Sequence, residues 1–419
     1  MKITLKKGYE TETAEINDRN ITAVLQPSSL PEGMDQQAFV EDSLHHPIGT
    51  KQLQDIVKPG EKIAIITSDN TRPVPTWIIL PCVLKELYKA GISKEDITLY
   101  FARGSHRNMS EAEHEQLSGE AYHEIACFDS DWTHTVHVGK TSRGTDVDID
   151  ERVVKADRRI LIGNVEYHYF AGFSGGAKAI FPGMSVPNAI AENHKFMTSD
   201  DAHTAKLDGN PVREDIEEAA NMVGADFIIN VVLNPKKEII ASFAGDMKQA
   251  HRKACQYYDS IYRYVIPHKA DIVLVSQGGA PKDRNLYQTQ KALDNAGHAV
   301  KDGGTIIVVA SCKEGFGQKN FEEWMLKYTD PDAMLQALHE HFVLGGHKAC
   351  AIASIRKHAE IDLVNDMDPK IIGKTFLKPY DSLAEALASA MIKYGPEASV
   401  IVMPYGGSTL PIVESYCSL

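Results

Sequence analysis

The chain has 419 residues, 43% hydrophobic and 24% charged, an ordinary globular composition long enough for two or three domains of roughly 150 residues each. Lys and Arg total 44 against 57 Asp and Glu, and the net charge of −13 argues against a nucleic-acid binder. A few placed cations can still hold an anionic ligand. No run approaches the ~18 consecutive apolar residues of a membrane span, and the N-terminal MKITLKKGYE lacks a secretory apolar core. The expectation is a cytoplasmic protein that binds neither membrane nor nucleic acid. The cysteines, Cys82, Cys127, Cys255, Cys312, Cys350 and Cys417, are scattered without a C-x-x-C pair, so neither a zinc knuckle nor a disulfide framework is indicated.

In chain order, KIAIITS at 62–68 reads as a strand buried on both faces, followed by the polar loop Asp69-Asn70-Thr71-Arg72-Pro73. A helix is expected over 74–90, ended by Gly91, with Pro81 unexplained inside it. Residues 97–102 form the next strand, before the loop Arg103-Gly104-Ser105-His106-Arg107. Strands follow at 159–162, 227–233 and 238–243. After Pro267 the rhythm restarts, with strands at 271–276, 305–310, 360–364 and 400–403, and helices at 287–297, 333–341 and 382–391. This alternation predicts an α/β protein of two domains, each a mostly parallel sheet flanked by helices. The expected division is 1–267 plus the C-terminal tail 406–419 for the larger domain, and 268–405 for the smaller. Ligands of open α/β sheets bind beyond the carboxyl ends of strands. The loops bearing Asp69, Arg72, His106 and His168 are therefore expected at one edge, in a cleft between the domains.

The most informative stretch is EYHYFAGFSGGAKAIFPGMSVPNAIAENH at 166–194. Ser174-Gly175-Gly176 leading into Ala177-Lys178 resembles a phosphate cradle at a helix start. The spacing is neither a Walker A motif nor a dinucleotide fingerprint, and a glycine-rich surface loop with a solvated lysine remains an alternative. His168 and His194 flank this loop, and imidazole is both the common metal ligand and the acid/base of neutral pH. With His106 they make three loop histidines around Lys178, but no H-E-x-x-H or carboxylate–histidine cluster completes an all-protein metal cage.

Together, SDNTRPVP (68–75), GSHR (104–107), HYFAGFSGGAK (168–178), FPG (181–183), ENH (192–194), FIINVVL (227–233), SFAGDM (242–247) and LYQTQK (286–291) resemble the nickel-pincer lactate racemases over nearly the whole chain. The resemblance implies a nickel pincer nucleotide, a pyridinium ring with two sulfur-bearing arms and a ribose phosphate, bonded covalently to Lys178. His194 would ligate the nickel, whose other donors come from the cofactor. His106 and His168 would be the acid/base pair of a racemase or epimerase that inverts C2 of a 2-hydroxy acid by reversible hydride transfer through a 2-keto acid. Asp69, Thr71 and Arg72, with Ser174, Gly175 and Gly176, would hold the cofactor. Arg72, Tyr287, Gln288 and Lys291 would meet the substrate. Enzymes of pincer biosynthesis are the implied partners.

Lactate-specific members carry a pocket tryptophan in the second domain, where this chain has Leu344-Gly345-Gly346-His347. The glycines predict a larger pocket, and His347 or Lys348 could meet a larger 2-hydroxy or sugar acid. Two other readings remain open at this point. One is a non-catalytic binding or storage protein for the nucleotide or a hydroxy acid. The other is a nicotinamide dehydrogenase, against which the missing dinucleotide fingerprint counts.

Overall fold

The computed structural model describes residues 1–26, 33–343 and 345–414, and the side chain of His339 lies outside it. The fold is α/β and divides into two compact units, Ser29–Ser260 and Met1–Ser28 with Ile261–Leu419.

The Ser29–Ser260 unit is built on a six-stranded sheet in the order Ile239–Gly245, Phe227–Leu233, Arg158–Asn164, Ile63–Ser68, Ile97–Ala102, Ala126–Asp129. All neighbours run parallel except Ile239–Gly245, which is antiparallel to Phe227–Leu233. Phe227–Leu233 is buried at every position, and Ile63–Ser68 at all but its last, as expected for strands covered on both faces. One core packs Ile65, Leu99, Ile160 and Ile229 under the helix Thr76–Lys89. The opposite face packs Ile66, Leu161 and Ile228 with Ile216 and Ala219 of the helix Pro211–Val223. Because Ile63–Ser68 lies between Ile97–Ala102 and Arg158–Asn164, the loops after these three strands leave the same edge of the sheet.

The second unit has a six-stranded sheet in the order Lys378–Tyr380, Glu360–Val364, Val300–Val309, Ala270–Ser276, Val400–Met403, Ile21–Val24, parallel throughout. Its membership differs from the sequence expectation at both chain ends. Residues 1–26 were expected in the larger domain, but Ile21–Val24 covers the open edge of Val400–Met403, and Leu25 N–H donates to Val402 O at 2.7 Å. The C-terminal tail was expected there too, yet Leu410–Val413 pairs with Arg263–Ile266 inside this unit, while 415–419 lie outside the described residues. An edge strand exposes unpaired N–H and C=O groups, and here both sequence termini supply the missing partners.

Candidate active site

Asp69 follows Ser68 at the carboxyl end of its strand and is 2% exposed. Its carboxylate accepts from Thr71 Oγ1 at 2.6 Å and from His106 Nδ1 at 2.6 Å. Burial alone would push the Asp69 carboxyl up, but the His106 hydrogen bond, the nearby His106 and Arg72 charges and Thr71 together hold it below its ordinary value. Since a carboxylate only accepts, His106 Nδ1 is the donor and the lone pair of the neutral ring lies on Nε2. The Arg72 guanidinium donates to Thr71 Oγ1 at 3.1 Å, so Asp69, Thr71, Arg72 and His106 form one connected group. The His106 loop is held by Arg103, which donates to His106 O at 3.1 Å and lies 3.6 Å over the Trp132 ring.

The segment after Arg158–Asn164 forms a short hairpin, Tyr167–His168 against Gly172–Phe173, with Phe170 at its bend. Phe170 is 3% exposed and gathers three of the expected residues. The rings of His168 and His194 approach it edge-on, at 4.5 and 4.8 Å between centroids, and Lys178 Nζ lies 5.9 Å from its centre. His168 Nδ1 accepts from the Ala171 N–H at 3.3 Å, which places the proton of the neutral ring on Nε2. His194 ends the helix Pro187–His194, and its Nδ1 lies 3.1 Å from Asn193 Oδ1. Gly104 N–H donates to Gly183 O at 3.0 Å, tying the His106 loop to the turn that precedes this helix.

Ser174 and Gly176, expected in a phosphate cradle, have partners inside the protein. The Ser174 hydroxyl donates to Asn164 O at 2.8 Å and accepts from Glu166 N–H at 2.9 Å. Gly176 N–H donates to Asn230 Oδ1 at 2.9 Å. Gly175 and Gly176 have φ of +75° and +58°, and a Cβ on Gly176 would stand 2.8 Å from the His251 ring. These groups are used inside the protein, to build the tight turn that presents Lys178.

Four buried polar side chains missed by sequence reasoning hold this turn and the hairpin from beneath. Asn210 donates to Phe170 O at 2.8 Å and His251 Nε2 to Ser174 O at 2.8 Å, while Asn230 takes the Gly176 N–H. Arg213, fully buried, donates to Ala171 O at 3.1 Å and to Phe173 O. Burial pushes its guanidinium down to about 10 and holds His251 well below its ordinary value, so that imidazole is neutral. The one visible sequence signal was polar Asn230 inside the apolar run FIINVVL.

Tyr287, Gln288 and Lys291 belong to the other unit, on the first turns of the helix Leu286–Gly297, capped by Asn285. All three are half-buried, whereas Leu286, Thr289 and Gln290 of the same turns are buried. Lys348 Nζ donates to Tyr287 O at 2.9 Å and lies 4.0 Å over the Tyr287 ring. Gly345 and Gly346 do not leave an open pocket. A Cβ on Gly346 would stand 2.7 Å from the Trp324 indole, and one on Gly345 would stand 2.4 Å from Gln318. His347 is likewise built into the interior: its Nδ1 accepts from Gly345 N–H at 3.0 Å and burial pushes it down to about 3.

No described helix is long and apolar enough to cross a membrane. The family described as the lactate racemase N-terminal domain matches residues 7–205, and the lactate racemase C-terminal domain matches 265–410. The lactate racemase of Thermoanaerobacterium thermosaccharolyticum is 33% identical over 97% of this chain and 98% of its own length. That of Lactiplantibacillus plantarum is 35% identical over 96% and 98%. The structure of the T. thermosaccharolyticum lactate racemase apoprotein superposes with a TM-score of 0.92 at 32% identity, covering 98% of this chain and all of that one. A Thermotoga maritima protein shares the fold at a TM-score of 0.71 and 18% identity. The chain is an isomerase belonging to the lactate racemase family.

Proposed function

We propose that this protein is a racemase or epimerase inverting C2 of a 2-hydroxy acid, with a nickel pincer nucleotide bonded to Lys178 and ligated through its nickel by His194. The observation that carries this reading is the convergence of His168, Lys178 and His194 on Phe170. The residues fit such a group. An amine and an imidazole share one aromatic support, and among the described residues no three His, Cys, Asp or Glu side chains form a cage, so nickel here would draw its other donors from the nucleotide. When bound, the cofactor supplies the hydride acceptor and donor for C2.

The protein's own part is proton transfer and positioning. His106, with Nδ1–H given to Asp69, offers Nε2 as a base for the substrate hydroxyl. As that ring becomes an imidazolium, the buried Asp69 carboxylate stabilises its charge. His168 is the counterpart on the other side of the planar keto acid. To return a proton it must be an imidazolium carrying Nδ1–H, which gives up the 3.3 Å contact with the Ala171 N–H. The hairpin bearing His168 is therefore the part that adjusts during turnover. Gln288 and Lys291 share a helix face and suit a substrate hydroxyl and carboxylate. Because Gly345 and Gly346 are filled by Trp324 and Gln318, they no longer argue for a substrate larger than lactate.

The test is the full chain co-produced with a pincer-biosynthesis system. A cofactor-sized mass increment is expected on the wild type and absent from Lys178→Ala. With lactate and a larger sugar acid offered in parallel, one is racemised or epimerised. His106→Gln or His168→Gln loses about 10²–10⁴ in turnover while keeping the increment. A folded wild type with no increment beside a loaded control overturns the reading.

A further inference from the structure

The chain beneath His194 fixes more than the direction of its ring. Asn193 is fully buried, and its Nδ2 donates to Val212 O at 3.2 Å and to Asp215 Oδ2 at 2.8 Å. Both partners can only accept, so the amide has one possible orientation and its Oδ1 is the atom facing His194 Nδ1, 3.1 Å away. That oxygen also only accepts, so His194 Nδ1 must carry the proton. Asp215, fully buried as well, is pinned by Thr141 Oγ1 at 2.5 Å and Thr145 Oγ1 at 2.9 Å. Each member of the Asp215–Asn193–His194 chain thus sets the hydrogen-bond polarity of the next.

We propose that Asn193 and Asp215 are positioning residues that hold His194 as its Nδ1–H tautomer and so leave Nε2 as the nitrogen presented to the metal. This rests on the reading of His194 as the nickel ligand. A donor or acceptor behind a metal-bound imidazole sets both its tautomer and its orientation, and removing such a partner costs 10–100-fold in metal affinity. The ligating tautomer is thereby set by the protein's own hydrogen bonds. Asn193 adjoins the ligand in sequence, but Asp215 reaches it from the helix Pro211–Val223, and Thr141 and Thr145 from a third segment.

The first measurement is histidine ring ¹⁵N NMR on the full-length apoprotein, above the pH at which the rings titrate, with His194 assigned through His194→Gln. The expected wild-type signals are a protonated Nδ1 and an unprotonated Nε2. The reverse pattern overturns the proposal whatever happens to any variant. In Asn193→Ala, folded by circular dichroism, the Nδ1–H signal is expected to give way to the Nε2–H form. The second measurement is nickel retention against a chelator in cofactor-loaded protein, with the Lys178 increment followed by mass. The increment is retained in Asn193→Ala and nickel is held about 10–100-fold more weakly; unchanged retention overturns the positioning role. If the wild type takes up no increment, the nickel reading fails while the tautomer result stands on its own.

Discussion

At residue scale, the two expected acid/base histidines rest in opposite states. His106 donates from Nδ1 to Asp69, and His168 accepts at Nδ1 from a backbone N–H. Only His106 is poised as a base at Nε2, and Asp69 is the cause. In Asp69→Asn the amide can present its NH₂ to the ring and move the proton to Nε2. Turnover is then expected to fall about 10²–10⁴-fold with the Lys178 increment intact. Stability responds too. The folded carboxyl titrates below its unfolded value, so its contribution is complete above about pH 3.9 and is lost as pH falls through the folded value. The wild type should exceed Asp69→Asn by about 1.5–3 kcal/mol near neutrality, the worth of hydrogen bonds to a charged group. That gap, read by urea unfolding, should narrow in stronger acid. A gap independent of pH would mean the carboxylate is not what the fold uses.

At element scale, the hairpin and turn from Tyr167 to Lys178 contain little regular structure, and their shape is imposed by side chains from elsewhere. Arg213 reaches up from the helix Pro211–Val223 to two carbonyls of the hairpin. In Arg213→Met each carbonyl left without a donor costs about 1–3 kcal/mol. The midpoint of denaturant unfolding should drop accordingly, with Arg213→Lys recovering part of the loss. No change would show that the carbonyls find other donors. This dependence explains what was legible in the sequence. Glycines, histidines and Lys178 announce themselves by type and spacing, so the candidate residues could be picked out. The internal partners of Ser174 and Gly176 could not be read, because Asn164, Asn230 and His251 are distant in sequence. The strands were readable because burial on both faces leaves a continuous apolar run. The expected helix does run through Pro81: Thr76–Lys89 is continuous, with Ile79, Leu80, Val83, Leu84 and Leu87 all buried on one core that offsets the cost of the proline.

At the scale of the whole molecule, the place of the two chain ends in the second unit escaped the sequence because pairing across hundreds of residues leaves no local mark. Ile21–Val24 and Val400–Met403 are neighbours only in the folded sheet. The unit they close carries two buried ionisable groups whose effects on acid stability oppose each other. His347 is pushed down to about 3 by burial, so below about pH 6.5 the unfolded chain takes up a proton the folded one refuses. Stability is lost as pH falls, by about 1.4 kcal/mol per pH unit. Asp362 is 3% exposed, and desolvation pushes its carboxyl up to about 6. Its contribution is complete below about pH 3.9 and is lost as pH rises through the folded value, so between pH 6 and 4 it gains as pH falls. The two slopes have similar size and opposite sign, and their sum in the wild type should be nearly flat there. Substitution separates them: His347→Gln should make this unit more stable from pH 6 to 4, and Asp362→Asn less stable. Trp324 lies in this unit while Trp77 and Trp132 lie in the other. Fluorescence-detected urea unfolding with Trp77→Phe and Trp132→Phe as background therefore reads the unit by itself. Parallel slopes in the two variants would show that these groups do not govern its response to acid.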